Sequence, residues 1–156
     1  MGRINASDRR RHMRRMRPNL MMLEDRKLLS TYTVNSTGDS GIGSGLVGDL
    51  RYCITHANSA GGNETITFDK TVFKTPQTIT LGGTQLELSD TTGTETIVGP
   101  AAGVTVNGNN ASRVFQIDPN VTASISGLTI TGGKAGSAGY YYQQSGKGLE
   151  AREFLT

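Results

Sequence analysis

Short apolar segments separated by turn residues recur through the middle of this sequence, and they restrict the chain to folds built from short strands. Between Thr94 and Gly133, each segment alternates β-branched or aromatic residues with Thr, Ser or Gln, as half-buried strands do. Gly, Pro and Asn residues separate the segments, which is typical of turns. The strands predicted in this region are 96–98, 104–106, 114–117, 124–125 and 128–130.

The same kind of segment occurs upstream, and comparable segments are regularly spaced. Further strands are predicted at 32–34, 66–68, 79–81 and 86–88. Segments that resemble one another start 24 to 27 residues apart: Ile79 and Val104, Leu81 and Val106, Val106 and Ile130, and Val98 and Ile125. A fixed spacing of this size indicates a repeat architecture, and one coil of a right-handed parallel β-helix holds three strands in about this length. An antiparallel β-sandwich stays open as the alternative, since alternation does not reveal the pairing direction.

Composition and charge narrow the class further. The chain has 21 Gly, no Trp and only 35% hydrophobic residues, which favours an all-β solenoid with small corner residues over a helical bundle. The first 30 residues carry nine Arg and Lys against three acids, whereas the rest carries seven against ten. We therefore expect no nucleic-acid-binding body, because phosphate binding needs a basic face. No apolar run reaches 18 residues, so no membrane span is predicted.

A short helix is predicted from about Asp49 to Asn58, with Asp49 as its N-cap. One face of that helix is apolar, at positions i, i+3, i+4 and i+7: Leu50, Cys53, Ile54 and Ala57. Arg51, His56 and Asn58 are expected on or near the solvent side. Cys53 is the only cysteine, so it forms no internal disulfide, and we interpret it as a small buried residue. We interpret His56 as a surface histidine.

Two stretches resemble known bacterial sequences. Pro18-Asn19-Leu20 followed by Leu23 to Ser30 resembles the LEPR-XLL motif, which heads large, repeat-rich, exported proteins of planctomycetes. That resemblance implies export to the cell exterior or surface. An ordinary secretory signal is not evident, since the apolar run 20–23 is short.

The second stretch, YTVNSTGDSGIGSG followed by GDLRYCITHAN, resembles the start of extracellular β-helix proteins of the CSLREA and polymorphic-outer-membrane-protein kind. Asp39 to Gly43 match the loop of that signature. Its helix positions are matched by Leu50, Arg51, Ile54, Ala57 and Asn58, with departures at Tyr52 and Cys53. The resemblance implies a pectate-lyase-like solenoid in which this helix caps the first coil and is not an active site.

The chain therefore divides into four predicted regions. Residues 1–30 form a basic leader or targeting segment that is expected to be disordered. Residues 31–60 form the N-terminal cap, which consists of a strand, a Gly-rich loop and a short helix. Residues 61–133 form the β-helix coils, with Asn107 to Asn110 suited to a corner. Residues 134–156 lack clean alternation and are predicted to be an irregular tail. Truncation or a frameshift in a longer repeat protein is the favoured explanation, and a natural short tail stays open as the alternative.

No catalytic, cofactor-binding or metal-binding residue is predicted. The acidic candidates for polysaccharide cleavage are scattered singly along the strands and turns: Asp69, Glu87, Asp90, Glu95 and Asp118. The formal G-x-G-x-x-G from Gly43 to Gly48 lacks the preceding strand and long helix of a dinucleotide site. Asp118 to Asn120 is interpreted as a turn and not as a calcium ligand.

These observations favour a non-catalytic secreted or cell-surface protein, adhesin-like or structural. The expected partners are cell-surface polysaccharide or other surface proteins, with self-association through an uncapped last coil. The alternative function is the N-terminal piece of a polysaccharide lyase or glycoside hydrolase of the same fold, although fold alone does not carry that activity.

Overall fold

A computed structural model describes residues 29–134, 140–145 and 148–153 of the chain. This part of the protein contains one helix, α1 (Leu50–Ala60), and is otherwise built from strands. The strands are β1 (Ser30–Val34), β2 (Gly43–Ser44), β3 (Val47–Gly48), β4 (Glu64–Phe68), β5 (Gln77–Thr80), β6 (Leu86–Leu88), β7 (Thr94–Val98), β8 (Val104–Asn107), β9 (Phe115–Ile117), β10 (Thr122–Ser126), β11 (Leu128–Thr131), β12 (Tyr140–Ser145) and β13 (Gly148–Glu153).

Strands three apart in the chain pair with one another, and they do so in parallel. β4, β5 and β6 each pair with β7, β8 and β9, respectively, and β10 and β11 continue two of these sheets. The resulting sheets have the orders β10-β7-β4-β1-β3-β2, β11-β8-β5 and β6-β9. The protein is thus mostly β with parallel sheets, as the all-β prediction requires. Antiparallel pairing, which the sandwich alternative needs, is confined to β2–β3 and β12–β13 in the described chain.

Columns of inward side chains hold these sheets together. In the six-stranded sheet, Tyr32, Ile66, Ile97 and Ile125 occupy matching register positions and all are buried. Phe73 packs edge-on against Phe68 in the same core, with ring centroids 5.0 Å apart. Stacking of like residues on successive strands removes apolar surface from water at about 25 cal/mol per Å². The sequence alternates because every second residue of a strand faces inward and belongs to one of these columns.

The register differs in detail from the spacing read from the sequence. Val106 pairs with Ile130 as expected, but Ile79 pairs with Val106 and not with Val104. Ile125 pairs with Ile97, not with Val98. The second error has a physical cause: a one-residue slip exchanges the two faces of a strand, and Val98 is 43% exposed whereas Ile97 is fully buried.

Corner residues behave as their chemistry predicts. Asn109 and Asn110 adopt positive φ angles of 54° and 52°, in the predicted corner. At the turn after β7, a Cβ on Gly99 would overlap the backbone of Gly127, which follows β10. Only glycine allows two successive strand ends to approach this closely.

The helix prediction is confirmed. α1 begins after the N-cap Asp49, and its buried residues are the four predicted ones, Leu50, Cys53, Ile54 and Ala57. This face of α1 packs against β1, β4 and β6. The helix therefore covers the first described strands, although it extends two residues beyond the predicted end.

The structure describes little of the predicted leader but part of the predicted tail. Nearly all of the predicted leader lies outside the described residues, and Ser30 at its predicted end belongs to β1. The predicted irregular tail instead contains the antiparallel pair β12–β13, and the backbone of β13 lies beside β10. The sequence analysis did not identify this pair, because β12 does not alternate and the apolar–polar alternation in β13 covers only the four residues Leu149 to Arg152.

Candidate functional site

The Gly-rich loop folds into a small hairpin against the helix. Gly43 pairs with Gly48 and Ser44 with Val47 in the β2–β3 ladder. The ring of Tyr52 lies directly on Gly43 and Gly48, where any Cβ would overlap it. The glycines of the formal G-x-G-x-x-G thus provide a flat surface for an aromatic ring of α1, which is a packing role.

Asp49 joins the helix start to this loop. Its Oδ1 accepts a hydrogen bond from the backbone N–H of Tyr52 at 2.8 Å, which caps the helix. Its Oδ2 accepts from the N–H groups of Ser40 and Ile42 at 2.9 and 3.0 Å. One buried carboxylate therefore satisfies three backbone donors from two segments.

Arg51 and Asp39 form a two-pronged ion pair. Arg51 donates from Nε to Oδ1 and from Nη2 to Oδ2 of Asp39, each at 2.9 Å. The guanidinium also donates to the carbonyl oxygens of Thr84 and Gln85 at 2.8 and 2.9 Å, while Asp39 accepts from the N–H of Gly82 at 2.7 Å. The pair consequently holds the loop, the helix and the turn before β6 in one arrangement.

Asn58 connects the other end of α1 to β6. Its Nδ2 donates to the carbonyl of Glu87 at 2.7 Å, and its Oδ1 accepts from the N–H of Ser89 at 2.8 Å. The amide thereby takes the place of a neighbouring strand along this stretch. The sequence placed Arg51 and Asn58 near solvent; both are instead half-buried and hydrogen-bonded to the β6 region.

A groove of about 600 Å³ runs between α1 and the segment 83–89. Its polar walls are formed by Arg51, Thr55, Asn58, Glu87 and Ser112, among others. The strongest hydrogen-bonding groups in it, the Arg51 guanidinium and the Asn58 amide, already bind backbone atoms. This groove can accept a polar ligand by shape, but its walls are arranged to hold the helix.

His56 and Cys53 do not form a reactive pair. The exposed His56 ring stacks on Tyr52, with centroids 3.8 Å apart, and its Nδ1 lies 2.9 Å from the Tyr52 carbonyl oxygen. Burial raises the pKa of the Cys53 thiol to about 11, so the thiol is protonated and unreactive at neutral pH. Their positions agree with the interpretation of His56 as a surface residue and Cys53 as a core residue.

Three of the acidic candidates lie in turns or on the exposed face of a strand. Asp69 accepts from the N–H groups of Val72 and Thr71, which lowers its pKa. Asp118 accepts from Nε2 of Gln116 at 2.8 Å, and Glu87 is exposed on β6. Asp69 thus organises a turn, whereas Asp118 lies beside β6, where its N–H donates to the Leu88 carbonyl oxygen at 3.0 Å and Gln116 is the register partner of Glu87.

The remaining two candidates come together with a third acid that the sequence analysis missed. Asp90 and Glu95 are buried, and Glu95 on β7 lies directly opposite the buried Glu64 on β4. A search for paired acids along one strand cannot find this arrangement, since the partners lie on neighbouring strands. The signal was present as equal spacing: Glu64 precedes Ile66 as Glu95 precedes Ile97.

This buried acidic group is not arranged for surface chemistry. Asp90 accepts from Thr92 N–H and Oγ1 and from Gly62 N–H, and Glu64 and Glu95 are each only 1% exposed. A polymeric substrate in solution has no access to such carboxyls. Within the described residues, no set of three His, Cys, Asp or Glu side chains is placed to hold a metal ion.

No family model matches this chain, and no curated protein or solved structure is significantly similar to it. Among the described residues, α1 is too short to span a bilayer.

Proposed function

We propose that this chain is an exported, non-catalytic β-helix protein of a bacterial surface, with an adhesin-like or structural role. The observation that carries the proposal is the parallel pairing of every third strand, β4–β7, β5–β8 and β6–β9. A chain that winds through three sheets in turn, each coil stacked on the last, produces this pairing pattern. The proposed right-handed β-helix explains all of these pairs in the same way, because each strand lies beside the corresponding strand of the next coil.

The helix region supports the same proposal. In a parallel stack the first strand has no preceding coil, so its core and edge need a cover. Here β3 pairs with the outer edge of β1, and α1 buries its apolar face on β1 and β6. Of the signature residues, Asp39 and Arg51 bind one another and the segment before β6, and Asn58 binds the backbone of β6 and Ser89. These bonds hold the cover on the strands beneath it, which supports a capping role.

The buried state of the clustered acids favours a structural role over catalysis. The alternative, a polysaccharide-cleaving enzyme, requires carboxylates that face a substrate groove. Among the described residues, Glu87 is the one acidic residue that lines the α1 groove. A lone carboxylate does not supply the acid–base pair of a hydrolase.

Disulfide trapping tests the fold part of this proposal. In a Cys53→Ala background, we expect Thr96→Cys with Ser124→Cys to form a disulfide, because these residues are register neighbours on β7 and β10. Thr105→Cys with Thr129→Cys should do the same on β8 and β11. A coiled arrangement requires both bridges. The pair Val98→Cys/Ser124→Cys is the control, because these residues are two positions out of register and should not form a disulfide. If either in-register pair fails to form its disulfide, the proposed β-helix is contradicted.

Fractionation tests the functional part. We expect antibody against the chain to label intact source cells, and external protease to remove the signal while a cytoplasmic marker persists. Incubation of the purified chain with pectate and alginate should release no unsaturated uronate. Exclusive recovery from the cytoplasm refutes the surface role, and polymer cleavage that Glu87→Gln abolishes establishes the enzymatic alternative.

A further inference from the structure

A register column that contains two buried glutamates crosses the six-stranded sheet beside its apolar core. Ser30, Glu64, Glu95 and Ala123 occupy successive register positions on β1, β4, β7 and β10. Two residues along each strand lies the apolar column that contains Ile66 and Ile97. Glutamate therefore stands where every other inward residue of β4 and β7 is apolar, a conflict between local sequence and environment that marks functional positions.

In this column, Glu95 has the fewest interactions to offset the cost of burying its carboxyl group. It is 1% exposed, and neither of its carboxyl oxygens has a hydrogen-bond partner among the described residues. The charged groups that act on it in this part of the chain are Asp90, before β7, and Glu64, on β4, and both are acidic. Its partner on β10 is Ala123, which carries no charge.

An ionised carboxylate in such surroundings is unfavourable for two separate reasons. Burial removes the water that stabilises the charge, and the neighbouring acids repel it. Burial, then Asp90, then Glu64 together raise the pKa of Glu95 to about 7. A neutral carboxyl group keeps the same shape without either penalty.

We propose that Glu95 is a proton-operated latch, which keeps β7 packed between β4 and β10 while the carboxyl is protonated and releases this region when the proton leaves to solvent. The latch is independent of any ligand. It makes the stability of the fold a function of pH in the mildly acidic to mildly alkaline range, through one side chain at a defined register position.

The direction of the effect follows from proton linkage. The folded state binds the Glu95 proton more tightly than the unfolded chain, whose carboxyl has a pKa of 4.5. Stability from this group is therefore complete below about pH 4.5 and is lost as the pH rises through about 7. Between about pH 5 and about pH 9, the unfolding equilibrium constant should increase on the order of 100-fold from this site.

Urea unfolding of the full chain across this pH range tests the proposal. We expect the wild-type midpoint to fall with rising pH and the Glu95→Gln variant to keep a nearly constant midpoint, since its amide does not ionise. Glu87→Gln is the matched control, because it removes the same charge from an exposed position on β6. It should follow the wild-type profile.

A second measurement avoids dependence on how well the variant folds. Carbon-13 NMR of Glu-labelled wild-type protein should show one side-chain carboxyl that titrates near pH 7, and this signal should be absent in Glu95→Gln. A flat wild-type stability profile, titration of every Glu below about pH 5.5, or an unchanged pH slope in Glu95→Gln overturns the proposal. So does restoration of stability at about pH 8 by calcium or magnesium chloride but not by sodium chloride of equal ionic strength, which would assign a cation site instead.

Discussion

Among the described residues, two regions with partly or fully buried polar side chains differ in how these groups are hydrogen-bonded. Around α1, Asp39, Asp49, Arg51 and Asn58 each meet a donor or acceptor of matching chemistry. Across β4 and β7, Glu64 and Glu95 face one another in register with like chemistry. Buried polar groups stabilise a fold when their hydrogen bonds are complete and destabilise it when they are not. The helix network therefore fixes one structure, while the latch proposed at Glu95, whose carboxyl oxygens have no hydrogen-bond partner among the described residues, makes stability depend on pH.

The largest effect is expected when the satisfied network loses its ion pair. Arg51→Met should lower the free energy of unfolding by roughly 3 kcal/mol, because it leaves the Asp39 carboxylate, whose side chain is 5% exposed, without its cation. Urea unfolding measures this. Lys74→Met is the control, since it removes a positive charge from an exposed loop position. Equal, small effects of both changes would mean that the Arg51 pair contributes nothing beyond net charge.

A graded pair of substitutions at Asp49 separates its two tasks. Asp49→Ala should cost about 2 kcal/mol, because the helix loses its cap and two loop amides lose their acceptor. Asp49→Asn keeps one oxygen for the Tyr52 N–H and should cost about half as much. Hydrogen exchange at the Ser40 and Ile42 amides should speed up in both variants. Unchanged exchange there would show that the loop does not depend on Asp49.

A smaller loss is expected at the far end of the helix. Asn58→Ala should lower stability by about 1 kcal/mol, because the Glu87 carbonyl and the Ser89 N–H lose a half-buried partner that water can partly replace. The adjacent Ser59→Ala, which removes only a hydrogen bond within the helix, should be close to neutral. If Ser59→Ala lowers stability as much as Asn58→Ala does, the bonds from Asn58 to Glu87 and Ser89 are not the cause of the loss.

The smallest effect on stability is expected from a substitution at the glutamates on β4 and β7. Glu64→Gln removes one of the two acids that repel the Glu95 carboxylate, so the pKa of Glu95 should fall from about 7 toward its ordinary value. The loss of stability with rising pH should then end at a lower pH and be smaller in total. At about pH 8, where the repulsion is greatest, the variant should be about 0.5 kcal/mol more stable than wild type. A carboxyl titration midpoint that stays put, or moves up, would exclude Glu64 as a source of the shift.

Local patterns in the sequence were enough to predict most elements of this fold, but not the β2–β3 hairpin or the β12–β13 pair. Alternation located the strands from β1 to β11 apart from the short hairpin, and the periodicity of Leu50, Cys53, Ile54 and Ala57 located α1 together with its N-cap. These signals are readable because each depends on which face of a single strand or helix is buried. Register was less accessible, since a slip such as Val98 for Ile97 changes the spacing by only one residue.

The sequence by itself determined a mostly β chain with a capped helix and Asn-rich corners, because backbone propensity and side-chain period act over a few residues. Only the tertiary structure decided which side chains meet. It brought Asp39 to Arg51 and Asn58 to β6, and it set Glu64 opposite Glu95 across two strands. These contacts depend on the length of chain between paired elements and on strand register, which together set how residues distant in the sequence face one another. That information is distributed along the chain and belongs to no single segment.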